Sequence, residues 1–387
     1  MTRLLASVAP IDFYSSYVWP FAAALAVTLL TCPFVRRIAI RLDLYDRPDS
    51  GLKPHERPIP YLGGVAMYLG WLAALVCAVF LTRTDRLEIA WIVVGGTLLM
   101  LTGLADDIRH LSPKFRLLVQ AIVAGLLMYG GIGRECGRAL IASFADDLPG
   151  WAVSEPVVLG LSAAVCIFAL AGAMNAANFI DGMDGLCAGI LGIAAVGFFY
   201  VSLAVPPAGD VLAPVRAALC AAIFGACLGF LFFNSHPASI FMGDSGSLLL
   251  GYSTAVVMIL LMEHPTCRTQ PSWRWFDGAL IAFAVPVLDT GLAIGRRWIN
   301  HRPLFTGDRS HLYDQLRDRG LTIRQTVLTC YAIGAGFAAL GPLAVRLTRG
   351  QLFVLLMAIP LVAAMLFRAF GMLRVDDTAA RSRAGGA

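Results

Sequence analysis

Apolar runs of 16 to 22 residues recur along this chain, and polar residues gather in short dense loops between them. Eleven such runs stand out, at 18–35, 61–82, 89–105, 117–132, 157–174, 186–205, 217–233, 247–262, 278–295, 325–345 and 351–367. A helix needs roughly 20 apolar residues to cross a bilayer. A membrane-spanning strand would instead alternate apolar and polar positions over about ten residues, and these runs are uniformly apolar. The pattern predicts an all-α integral membrane protein of about eleven transmembrane helices. We expect one polytopic domain, 1–387, with 368–387 as a cytoplasmic tail.

Composition sharpens this picture. Hydrophobic residues make up 58% of the chain and charged residues 14%, with a mean hydropathy of +0.74. Soluble domains average about 25% charged residues, so a soluble multidomain enzyme is excluded, and no nucleic-acid partner is expected. The net charge of +5 matters less than its distribution, because twenty of the thirty Lys and Arg residues fall on one side of the predicted spans. The richer side is expected to be cytoplasmic, which puts the N-terminus outside and the C-terminus inside. No cleavable signal peptide is expected: one arginine and then polar residues precede the first long run. The nine cysteines form no CxxC pair and mostly lie within apolar runs, where they read as small core residues. Cys136 and Cys267 fall in predicted loops, and nothing in the sequence supports a disulfide between them.

The inner loops, at about 36–60, 106–116, 175–185, 234–246 and 296–324, hold every dense polar pattern. The central one is Asn175-Ala-Ala-Asn178-Phe-Ile-Asp181-Gly-Met-Asp184-Gly185. On a helix, Asn175, Asn178 and Asp181 keep roughly one face. Asp184 falls on the far side unless the glycines break the helix and turn it back. Asp106 and Asp107 end the third span about 100° apart on a helix, an arrangement that suits one carboxylate toward a metal and the other toward a substrate or a lysine. Asp244, between glycines and beside hydroxyls, suits a hard cation such as Mg²⁺ or a phosphate contact; its plain alternative is a helix N-cap. Arg296, Arg297, Arg302 and Arg309, with His301 and His311, form a cationic stretch matched to phosphate oxygens or to anionic headgroups. Asp289 lies inside the ninth span, where an acid is a functional candidate or the partner of a buried arginine. Lys53 and His55 sit in a proline-rich loop leading to Gly63-Gly64, where glycines permit close helix packing or close approach of a substrate.

Carboxylates for a divalent ion and bases for phosphates, on one face of a membrane bundle, are the parts of phosphoryl transfer. A site at that surface takes one substrate from the cytosol and one from the lipid.

At these residues the chain resembles the polyprenyl-phosphate N-acetylhexosamine-1-phosphate transferases, the undecaprenyl-phosphate GlcNAc-1-phosphate transferases above all. The matching pieces run in family order: Lys53-Pro-His55 to Gly63-Gly64, Asp106-Asp107 to Leu111-Ser-Pro-Lys114, Asn175 to Gly185, Phe241-Met-Gly-Asp244-Ser-Gly-Ser, Pro286-Val-Leu-Asp289-Thr, and Arg302-Pro-Leu-Phe to Asp308-Arg309-Ser-His311-Leu. The resemblance implies that a polyprenyl phosphate attacks a UDP-N-acetylhexosamine, releasing UMP and starting a cell-envelope glycan, with Mg²⁺ or Mn²⁺ required. It places Asn178 and Asp244 at the metal with Asp107 near, and gives Asp106 the orienting or deprotonating of the lipid phosphate. Asp181 and Asp184 would face the nucleotide. Lys53, His55, Lys114, Arg302, Arg309 and His311 would hold phosphates, with Asn175 among the substrate-binding residues and His311 also in the catalytic set. It implies an active site on the cytoplasmic face of the inner membrane and leaves a homodimer open.

One departure is plain. The family's last loop commonly ends His-Leu/Ile-His-His, whereas this chain reads His311-Leu-Tyr313-Asp314, which puts the later histidines' roles and the sugar preference in question. Two rival readings are a phospho-MurNAc-pentapeptide transferase and a polytopic transporter; a transporter would carry an internal repeat and midplane polar groups, and only Asp289 lies deep. The Asp-x-x-Asp-Gly of CDP-alcohol phosphotransferases continues with an arginine and further acids that do not follow Asp184-Gly185 here.

Overall fold

The computed structural model describes residues 17–47, 57–81, 86–144, 153–206, 210–263, 273–301 and 311–373. In chain order its helices are α1 (Val18–Arg41), α2 (Gly63–Leu81), α3 (Arg86–Arg109), α4 (Pro113–Tyr129), α5 (Cys136–Phe144), α6 (Glu155–Ile180), α7 (Leu186–Leu203), α8 (Ala213–Asn234), α9 (Gly243–Met262), α10 (Trp273–Ala282), α11 (Ala284–Ile299), α12 (Leu312–Asp318), α13 (Ile323–Ala344) and α14 (Arg349–Ala369). The chain is a multi-pass membrane protein. Among the described residues nine helices are long and apolar enough to cross a membrane.

Two of the eleven expected spans come out differently. The ninth is not one helix: α10 and α11 meet at a 74° bend. The fourth, α4, has 17 residues and runs from 113 to 129 rather than from 117 to 132, because Ser112 and Pro113 start it four residues earlier. Ser112 Oγ accepts from the Phe115 N–H at 3.3 Å, and proline at the first helical position lacks an N–H that would be orphaned anyway.

One helix organises the bundle. Every residue of α9 from Ser245 to Met262 is buried, and α2, α3, α6, α7, α8 and α10 pack around it. A helix apolar on all sides belongs at such a centre. Small residues set the crossings, as in membrane bundles generally. A Cβ on Gly251 would lie 2.5 Å from Cα of Met174 on α6, and a Cβ on Gly103 would lie 2.5 Å from the Asp244 carbonyl oxygen. On Gly64 it would lie 2.2 Å from the backbone nitrogen of Gly246, so Gly63-Gly64 serves close helix packing. The Gly64 and Gly103 crossings lie at the N-terminal end of α9.

A short antiparallel pair, β1 (Tyr45–Asp46) and β2 (Ile59–Pro60), follows α1 and leads into a parallel bridge between Tyr61 and Phe241. Phe241 N–H donates to the Pro60 carbonyl at 2.9 Å, and the Gly63 and Gly64 N–H groups donate to the Phe241 and Met242 carbonyls at 2.9 Å each. The loop ahead of Asp244 is thereby fastened to the start of α2.

Three local expectations change. Cys136 opens helix α5 and is buried, while Cys267 lies outside the described residues. Arg296 and Arg297 are no cationic surface: both are buried, at 0% and 4% exposure, on the inward face of α11. Asp289 pairs with His311, not with an arginine.

Candidate active site

Asp244 is the meeting point. It stands in the first turn of α9, beyond Gly243, whose φ of +67° suits glycine. Its Oδ1 accepts from Asn178 Nδ2 at 2.6 Å, and its Oδ2 lies 3.3 Å from Arg116 Nη1. Asn178, in the last turn of α6, also donates to Ser247 Oγ at 3.1 Å. Its amide oxygen takes no hydrogen bond from a described residue.

The adjacent acids Asp106 and Asp107 divide the work. Gly103 lets α3 touch the Asp244 backbone, so the next turn of α3 delivers both carboxylates to the end of α9. Asp107 accepts from the Asp244 and Ser245 N–H groups, at 2.7 and 3.2 Å, and so caps α9 from a neighbouring helix, where negative charge is favoured. A Cβ on Gly243 would lie 2.5 Å from Oδ2 of Asp107, so this contact also needs that glycine. Asp106, 5% exposed, accepts from the Leu111 N–H at 2.6 Å and from Arg116 Nη1 at 2.7 Å.

Arg116 is the main residue that the sequence reading missed. One guanidinium nitrogen bridges Asp106 and Asp244. A signal existed: Arg116 heads the helical stripe Gln120, Val123, Ala124 and Leu127, which α4 buries. Lys114, a base expected to hold a phosphate, is exposed two residues earlier and makes no ion pair among the described residues.

The polar stretch after α6 separates as α6 ends at Ile180. Asn175 turns back on its own helix, donating to the Ala171 carbonyl at 2.7 Å, and does not reach Asp244. Asp181 caps the end of α6, and its carboxylate makes no hydrogen bond to a described residue. Burial, then the neighbouring charges of Asp244 and Asp107, push its pKa up to about 8. Asp184 is not turned back toward Asn178. Gly185, at φ +76°, turns the chain, and Asp184 Oδ2 accepts from the Ala238 N–H at 3.0 Å and pairs with His236 Nδ1 at 2.7 Å. Asn234 completes the joint: its Oδ1 accepts from the Gly185 N–H and its Nδ2 donates to the Ile240 carbonyl, both at 3.0 Å. His236, like Arg116, carried no weight in the sequence reading.

His311 is buried against the same region. Its Nδ1 lies 2.7 Å from Asp289 Oδ2, while the Leu312 N–H donates to Asp289 Oδ1 at 2.6 Å. Lys53, His55, Arg302 and Arg309 lie outside the described residues.

Among the described residues no three His, Cys, Asp or Glu side chains already converge as a metal-binding group. The donor chemistry nonetheless suits a hard divalent cation. Four carboxylates, Asp106, Asp107, Asp181 and Asp244, crowd one helix junction beside Arg116, and the Asp181 carboxylate and the Asn178 amide oxygen hold no described partner.

This geometry can be set beside known proteins. The model of the family described as "Glycosyl transferase family 4" matches residues 89–262. A Bacillus subtilis (strain 168) protein named "Probable undecaprenyl-phosphate N-acetylglucosaminyl 1-phosphate transferase" is 33% identical over 319 residues, 82% of each chain. The chain belongs to glycosyl transferase family 4. A Mycolicibacterium smegmatis relative in this family, named "Decaprenyl-phosphate N-acetylglucosaminephosphotransferase", is 32% identical over 82% of this chain and 79% of its own. A "Phospho-N-acetylmuramoyl-pentapeptide-transferase" of Heliobacterium modesticaldum is 33% identical over a shorter stretch, 63% of this chain and 74% of its own. The matched segment of the family model contains Asp106, Asp107, Arg116, Asn178, Asp181, Asp184 and Asp244, so the helix junction described above lies wholly within it.

Proposed function

We propose that this family 4 protein transfers an N-acetylhexosamine-1-phosphate, GlcNAc-1-phosphate first, from a UDP-sugar to a polyprenyl phosphate such as undecaprenyl phosphate, releasing UMP. The observation that carries the reading is the convergence of Asp106, Asp107, Asn178, Asp181 and Asp244, from three separate helices, on the N-terminal end of α9. The two relatives matched over 82% of this chain are named for GlcNAc-phosphate transfer to a polyprenyl phosphate, whereas the muramoyl-pentapeptide relative matches 63%. This favours the GlcNAc donor.

In the reaction, an oxygen of the lipid phosphate forms a bond to the β-phosphorus of the UDP-sugar. The bond from that phosphorus to the bridging oxygen breaks, and UMP leaves with the electron pair. A phosphate whose second pKa is near 6 is already largely the dianion at neutral pH, so the protein needs no strong base. Its task is to bring two anions together. Arg116 supplies positive charge between Asp106 and Asp244, and the α9 N-terminus adds its dipole. Asp244, Asp181 and the Asn178 amide oxygen would hold Mg²⁺ or Mn²⁺, which when bound would neutralise pyrophosphate charge. Asp106 orients Arg116, Asp107 anchors α9, and Asp184 holds the 235–240 loop beside the α6 break. The expected placement is the inner membrane with these groups on the cytoplasmic face.

The test is direct. Purified protein with UDP-GlcNAc, undecaprenyl phosphate and Mg²⁺ should release UMP, and Asp244→Asn should abolish release while the protein stays folded. A folded wild type that yields no UMP with any UDP-N-acetylhexosamine would sink the transferase reading. An active Asp244→Asn would remove Asp244 from the chemistry.

A further inference from the structure

The turn that presents Asp181 is closed by one aromatic side chain. Tyr313, in the first turn of α12, is 6% exposed. Its ring lies parallel to the His311 imidazole, with centroids 5.5 Å apart and an interplanar angle of 7°. Phe179 covers the same imidazole at 5.7 Å. The Tyr313 hydroxyl donates to the Phe179 carbonyl at 3.3 Å, one of the carbonyls that the end of α6 leaves without a helical partner. The hydroxyl also fills the space over Gly182, where a Cβ would lie 1.9 Å from it. Residues 179 and 182 flank Asp181, so a single phenol bears on both sides of that carboxylate's backbone. The imidazole that Tyr313 covers is tied at its other end to Asp289. Asp314 Oδ2 accepts from the His311 backbone N–H at 3.3 Å, completing the start of α12.

We infer that Tyr313 is a positioning residue of the active site: its ring holds the His311 imidazole in the plane required by the bond to Asp289, and its hydroxyl holds the 179–182 turn that presents Asp181. Stacking of this kind adds to simple burial, and the hydroxyl satisfies a carbonyl that burial would otherwise orphan. An ordinary core tyrosine would need neither the parallel imidazole nor the glycine seat. Only the activity arm of the test rests on the transferase reading.

The test uses the full chain in detergent and three measurements: UMP release resolved into kcat and KM, thermal unfolding, and the rate of His311 carbethoxylation by diethylpyrocarbonate, followed by peptide mass spectrometry. Y313F keeps the stack and loses one neutral hydrogen bond, so kcat should stay within about fivefold of wild type. Y313A loses both contacts, and G182A drives the phenol off its seat. Each should lower kcat by about tenfold or more, with less change in KM, and Y313A should make His311 react at least about threefold faster. The double variant Y313A/G182A should be no worse than Y313A alone, because both changes remove the same contact. If Y313A does not fold, Y313L keeps more of the apolar volume without the stack and is held to the same thresholds.

Wild-type kcat together with wild-type His311 reactivity in Y313A or Y313L would overturn the inference. So would losses from Y313A and G182A that multiply. A wild type that releases no UMP counts against the transferase reading, and the His311 reactivities then decide the role of Tyr313 on their own.

Discussion

Asn178 Nδ2 lies 2.6 Å from Oδ1 of Asp244, joining the end of α6 to the start of α9 across 66 positions of sequence. The pair sets a neutral amide against a carboxylate, which makes the site sensitive to charge at position 178. Asn178→Asp would place a further carboxylate at hydrogen-bond distance from Asp244, forcing a proton onto the pair or pushing the two helices apart. We expect UMP release to fall by at least about a hundredfold and the unfolding temperature by a few degrees. Exchanging the groups, Asn178→Asp with Asp244→Asn, restores the amide–carboxylate bond. The double variant should therefore regain the unfolding temperature but not turnover. Recovery of both would show that the pair serves packing alone.

Arg116 gives a second prediction. With its guanidinium removed, Asp106 and Asp244 face each other without the cation between them, and one partner of a part-buried ion pair is lost at a cost of several kcal/mol. Arg116→Ala should leave activity below about one hundredth of wild type and should lower thermal stability. Arg116→Lys retains the charge but not the planar fork, and an intermediate rate is expected. A lysine variant as poor as alanine would mean that geometry, not charge, carries the role.

A third prediction separates structural support from chemistry at the adjacent acids. Asp107 accepts from two backbone N–H groups at the start of α9. Asp107→Ala orphans both, a loss of about 1–2 kcal/mol, whereas Asp107→Asn keeps one acceptor. Unfolding temperature should fall in the order wild type, Asn, Ala. A variant with unchanged unfolding temperature and lost turnover would shift Asp107 from anchor to participant.

Much of this site was legible in the sequence because carboxylates and amides between apolar runs are costly and therefore conspicuous. Asp106, Asp107, Asn178, Asp181 and Asp244 stand out for that reason, and the structure brings them to one junction. What was not legible depended on direction rather than identity. Arg116 looks like an ordinary base after a span until the buried stripe of α4 turns it inward. Asp184 shares a motif with Asp181, yet the turn at Gly185 sends it to His236. Asn175 has the right spacing but hydrogen-bonds to its own helix. Arg296 and Arg297 read as surface charge because only packing reveals their burial. Length and hydropathy gave eleven runs, of which nine are helices long and apolar enough to span among the described residues, and they gave no sign of the 74° bend between α10 and α11, since no proline or polar break separates Ala282 from Ala284.

The opposite end of α9 supplies a prediction about stability that is independent of the chemistry. Glu263, 9% exposed, accepts from the Glu135 N–H at 3.0 Å. Burial pushes its carboxyl up to about 7; hydrogen bonds from the Gly133 and Glu135 backbones lower it, and the charges of Glu135 and Glu88 raise it. An unfolded glutamate titrates near 4.3, so between about 4.3 and 7 the folded protein binds more protons than the unfolded chain. The contribution of Glu263 is therefore fully present below about 4.3 and is lost as pH rises through about 7. Glu263→Gln keeps an oxygen to accept from Glu135 and carries no charge. It should raise the unfolding temperature by a few degrees at pH 8 and leave it nearly unchanged at pH 5. A gain of equal size at both pH values would mean that packing, and not the buried charge, sets the stability of this end of the helix.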